Sequence, residues 1–106
     1  MRFLTYDLAL DVLRGLREPF AIIQRRDASL AKQAARAMSS VPLNIAEANG
    51  RTGGDRLHHF RIALGSMREV GAVLDIAAAH GWLDDAPLAR ERDRLCGMIY
   101  GLQRRR

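Results

Sequence analysis

The 106-residue chain has one cysteine, two threonines, three prolines and 6% aromatic residues. A lone Cys96 excludes an internal disulfide and a thiolate metal centre. Scarcity of threonine and aromatics argues against a β-sandwich or barrel. Apolar runs are short, Ile76 to Ala79 among the longest, far below the roughly 20 residues that span a bilayer. Met1 to Asp7 has no apolar signal-peptide core, so a soluble cytoplasmic protein is expected. Lysine is also nearly absent: 16 of the 17 basic residues are arginine, and the net charge is +5. Arginine excess suits phosphate recognition, although a GC-rich coding bias produces it too.

Alanine, leucine and arginine fill the gap, and with 48% hydrophobic and 27% charged residues the composition predicts a globular all-α protein. No repeat or linker divides residues 1–106, so one domain is expected. Breakers mark four helical segments. The first covers about Thr5 to Arg17 and stops at Pro19, with Phe20 to Asp27 as a connection. The second opens at Ser29 as N-cap and ends at Asn49-Gly50. Pro42 lies inside its apolar stripe, which predicts a single helix kinked there; two shorter helices meeting at Ser40 are the alternative. The third, capped by Asp55, runs to His80 with heptad-like spacing through Phe60, Met67 and Leu74. The fourth begins at Asp84 or Asp85 with Pro87 in its first turn. Short connections make this an antiparallel up-down four-helix bundle.

Polar positions recur on these helices. Ser40, Asn44, Glu47 and Arg51 fall at i, i+4, i+7 and i+11, on one side of the second helix. Ser66 and Glu69 sit among apolar residues of the third, where a carboxylate needs a partner. These six residues are expected to form a polar network fixing helix register and assembly. Gly97 and Gly101, four apart, bare one strip of the fourth helix for close helix or subunit packing.

A metal site is not expected. His58 and His59 are adjacent, so they point about 100° apart on a helix, and no His-x-x-x-His motif occurs. Cys96 has no neighbouring histidine and reads as an inert thiol. No nucleophile, base and oxyanion donor occur together, so neither an enzyme nor a cofactor is expected. Arg51, Arg56, Arg61, Arg68 and the terminal Arg104, Arg105 and Arg106 are the candidates for nucleic-acid binding, with Arg61 and Arg68 seven apart on one face.

The stretch Ser40-Val41-Pro42-Leu43-Asn44-Ile45-Ala46-Glu47-Ala48-Asn49-Gly50-Arg51 resembles a signature of the four helix bundle proteins, also called 23S rRNA intervening-sequence proteins. Phe60-Arg61-Ile62-Ala63-Leu64-Gly65-Ser66-Met67-Arg68-Glu69 is similar to the same family's next motif. Ala48 stands where glycine is usual. The resemblance implies a left-handed bundle assembled as a homopentamer. It also implies kinship with the accessory variability determinant of diversity-generating retroelements, which binds nucleic acid and a reverse transcriptase. Five copies would gather about +25 of charge, favouring RNA or DNA backbones. A structural or protein-interaction module that binds no nucleic acid is the competing expectation.

Overall fold

A computed structural model describes residues 3–104 and consists almost entirely of helix, with no strand among the described residues. Among the described residues five helices form: α1 (Leu4–Gly15), α2 (Arg17–Arg26), α3 (Ala28–Asn49), α4 (Gly53–Ala79) and α5 (Ala89–Arg104).

The segment expected as a connection, Phe20 to Asp27, is instead mostly α2. Proline disturbs a helix through its missing N–H and its ring's clash with the carbonyl four residues back, and neither applies in the first turn. Leu16 interrupts the chain first, at φ −92° and ψ −2°, so Pro19 falls in the first turn of a new helix, where N–H groups have no intrahelical partner anyway. The Phe20 N–H still reaches the Leu16 carbonyl at 2.9 Å, and Ile23 is fully buried.

Asp27 rather than Ser29 caps α3, its carboxylate accepting from the Leu30 N–H at 3.0 Å. The helix then runs unbroken through a buried Pro42 to Asn49, which removes the two-helix alternative. Gly50 closes it at φ −92°, without the left-handed conformation.

Thr52 precedes α4, and Asp55 lies in its first turn without capping it. Phe60, Ala63, Met67, Val70, Leu74 and Ala77 are buried along α4, one stripe against the core. The last helix starts later than Asp84 or Asp85. Pro87 disfavours helical geometry at Ala86, Asp85 accepts the Ala86 N–H at 2.7 Å, and Leu88 takes φ +58° before α5 begins.

Packing closes a circuit. The three-residue link Gly50–Thr52 brings α3 and α4 together along their lengths. The pair α1 and α2 packs on α3, α4 packs on α5, and α5 returns to α1. The extents of 43 × 23 × 22 Å match one 27-residue helix, α4, running the long axis. The core is mostly alanine and branched aliphatics, with Phe60, Leu16 and Ile23 among its largest fully buried side chains.

Candidate functional site

The seam between α3 and α4 carries a polar ladder. Ser66 of α4 donates its hydroxyl to Ser40 Oγ of α3 at 2.9 Å. The Asn44 amide nitrogen donates to both the Ser40 carbonyl (2.9 Å) and Ser40 Oγ (3.0 Å), one helical turn back. A carbonyl can only accept, so this fixes the amide orientation and turns Asn44 Oδ1 toward His59 Nδ1, 2.9 Å away. An oxygen there requires a donor, which places the His59 proton on Nδ1. The opposite nitrogen, Nε2, faces Asp55 at 3.9 Å. Asp55 bonds Arg51 at 2.7 Å, and Arg51 bonds Glu47 at 3.2 Å.

Electrostatics follow these contacts. Hydrogen bonding to Asp55, and next to Glu47, raises the Arg51 pKa. Reciprocally, the Arg51 guanidinium holds the Asp55 carboxyl below the ordinary aspartate range. All three groups are about half exposed, so the cluster works as a solvent-screened clasp across the α3–α4 turn.

Ser40, Asn44 and Ser66 thus meet, and Glu47 pairs with Arg51 further along. Glu69 does not join them; it is exposed on α4 and makes none of these contacts. Its position between Ile62 and Val73 in the sequence suggested burial, but a helix turns it about 100° from the buried Val70. His59 and Asp55 were the residues that sequence reasoning left out. A signal for them exists: Asp55, His59 and Ser66 fall at i, i+4 and i+11, the spacing of Ser40 and Asn44 on α3 and Arg51 in the link that follows it.

The arginines divide by role. Arg51 is held between two carboxylates. Arg56 donates to the Leu102 carbonyl at 3.0 Å and lies 4.6 Å over the Phe60 ring, tying α5 to α4. Arg61 and Arg68 are exposed, with no carboxylate at ion-pair distance among the described residues. Arg104 lies 5.8 Å from the Tyr100 ring, while Arg105 and Arg106 lie outside the described residues. Gly97 and Gly101 are exposed, and a methyl group at either would meet no atom within 4 Å. They therefore serve no close helix contact inside the chain.

Cys96 is half-buried, and burial pushes its thiol pKa up, opposite to the shift that activates a thiolate. No group of three or more potential metal ligands occurs among the described residues. His59 reaches neither serine hydroxyl, since Nδ1 is spent on Asn44 and Nε2 faces Asp55. The ladder's evident chemistry is positional: it satisfies half-buried polar groups only in one alignment of α3 with α4.

Residues 4–101 match the family described as 23S rRNA-intervening sequence protein. The chain belongs to that family. No curated protein and no solved structure matches. The family match spans the whole ladder and all five helices except the last three residues of α5. No helix among the described residues is long and apolar enough to cross a membrane.

Proposed function

We propose that this family member is a non-catalytic, self-associating cytoplasmic protein that binds RNA or DNA through the phosphate backbone. In this reading α1 and α2 act as one bent rod of a left-handed, up-down four-helix bundle, and Pro42 bends α3. The observation that carries the binding half is the pair Arg61 and Arg68, seven residues apart on α4, exposed and unopposed by carboxylates. With Arg104, Arg105 and Arg106 they supply phosphate contacts, whereas Arg51 and Arg56 are committed within the fold. Repetition around an oligomer, five-fold by resemblance, makes weak contacts additive. Gly97 and Gly101, open on α5, offer a close approach to another subunit or to a partner enzyme such as a reverse transcriptase.

Large apolar side chains also stand exposed, Leu4 and Leu43 above 60%. They favour the second reading, a protein-interaction module that binds no nucleic acid. Salt separates the two. Fluorescence anisotropy with labelled single-stranded RNA and DNA should show affinity falling steeply between about 50 and about 200 mM salt. Arg61→Ala combined with Arg68→Ala should flatten that slope by about two phosphate contacts. An absence of binding at low salt overturns the nucleic-acid reading.

A further inference from the structure

The groove between α2 and α3 lies apart from the exposed arginine pair of α4. Two adjoining shallow cavities of about 490 and 410 Å³ follow α3, sharing Lys32 and Ala35. Alanine makes the floor: Ala21, Ala28, Ala31 and Ala35 each project a single carbon. Phe20 and Leu43 are the large apolar side chains of the lining, Leu43 at 62% exposure. Ala28 to Leu43 covers 15 residue steps, about 22 Å of helix.

Charge in this lining has one sign. Arg17, Lys32 and Arg36 are exposed, and no carboxylate stands among the lining residues. None of the three makes an ion pair among the described residues.

These features select one kind of occupant. The walls are helices, whose main-chain groups bond within themselves. An incoming segment finds no strand edge to pair with and must satisfy its own backbone, as a helix does. The alanine floor lets such a helix approach closely. Larger apolar side chains on it would cover Phe20 and Leu43, which a phosphate chain would leave wet. Acidic residues flanking that apolar stripe would meet the three cations.

We propose that the α2–α3 groove docks an acidic amphipathic helix of a partner protein, with its carboxylates against Arg17, Lys32 and Arg36. The inference goes beyond the proposed function, since neither Arg61 and Arg68 nor the Gly97–Gly101 strip takes part. In the packing circuit α3 lies diagonally across from α5, so an occupied groove leaves that strip open.

Fluorescence anisotropy of the full chain with two labelled synthetic peptides tests this. One is a helix of about 18 residues with leucines at i, i+3, i+4 and i+7 and glutamates on both flanks. The other carries lysine at every glutamate. The glutamate peptide should bind at least about tenfold more tightly than the lysine peptide. Lys32→Glu combined with Arg36→Glu should reverse that preference, and Leu43→Ser should weaken the glutamate peptide severalfold, with circular dichroism verifying that each variant stays helical. Equal binding of both peptides, no binding of the glutamate peptide, or a preference unchanged by the charge reversal would overturn the docking. Displacement of the peptide by single-stranded RNA would give the groove to phosphate instead. Wild-type oligomers that Lys32→Glu with Arg36→Glu dissociates would give it to a second copy, and either result overturns the proposal. Arg61→Ala with Arg68→Ala keeps the readings apart: it should lose RNA affinity yet bind the glutamate peptide as the wild-type chain does. A wild-type chain that binds the peptide but no RNA defeats only the nucleic-acid reading.

Discussion

Leu88 stands over Gly15 so closely that a methyl group at position 15 would lie 2.5 Å from Leu88 Cδ1. Gly15 is the last residue of α1, and Leu88, at φ +58°, ends the turn before α5. The contact joins the α1–α2 break to the α4–α5 turn. Gly15→Val is expected to cost about 1–3 kcal/mol by overpacking. In a Leu88→Gly background, which removes the obstructing side chain and suits the left-handed backbone, the same change should cost clearly less. Urea denaturation of the four proteins gives that coupling; equal costs in both backgrounds would contradict the contact.

The Asn44–His59 bond makes a spectroscopic prediction. Neutral His59 should be the Nδ1–H tautomer, because Asn44 Oδ1 must accept. Long-range proton–nitrogen correlation spectra distinguish the tautomers directly. Asn44→Leu, which strands Ser40 and His59 together, should lower stability by about 1–3 kcal/mol.

Acid should open the clasp at the α3–α4 turn. Arg51 depresses the Asp55 pKa, so the folded state binds that proton less readily than the unfolded chain. The resulting stabilisation is present above the unfolded aspartate pKa and disappears as pH falls through the lower folded value. Asp55→Asn should remove that part of the acid dependence while leaving the neutral-pH fold helical. Thermal melts followed across the acidic range would reveal it as a shallower decline in Tm for the variant.

Arginine substitutions should separate into two behaviours. Arg56→Ala loses the bond to the Leu102 carbonyl and the cover over Phe60, and should destabilise the protein by about 1–2 kcal/mol. Arg61→Ala and Arg68→Ala should change stability by no more than about 0.5 kcal/mol. Any loss of RNA affinity should fall on the latter pair. Equal destabilisation by all three would erase the distinction.

Much of this architecture is legible from residue spacing. Heptad-like positions from Phe60 to Ala77 mark the buried face of α4, and the four-residue step from Ser40 to Asn44 puts those side chains in contact. Local breakers are harder to interpret. Pro19 and Pro87 carry the same chemistry, yet Pro19 lies inside the first turn of α2 while Pro87 stays in the turn before α5. What separates them is where the preceding backbone bends, which long-range packing determines. Glu69 and His59 illustrate the same limit: each helical position is readable, but which face meets α3 depends on tertiary rotation.

The seam from Ser66 to Glu47 has a consequence for the outer faces of α3 and α4. Sliding α4 by one turn along α3 would part Asn44 from His59 and Ser40 from Ser66, so the ladder forms in a single axial phase. A small inward set of serine, asparagine and histidine therefore acts as a vernier, fixing the height of Lys32 on α3 against that of Asp75 on α4.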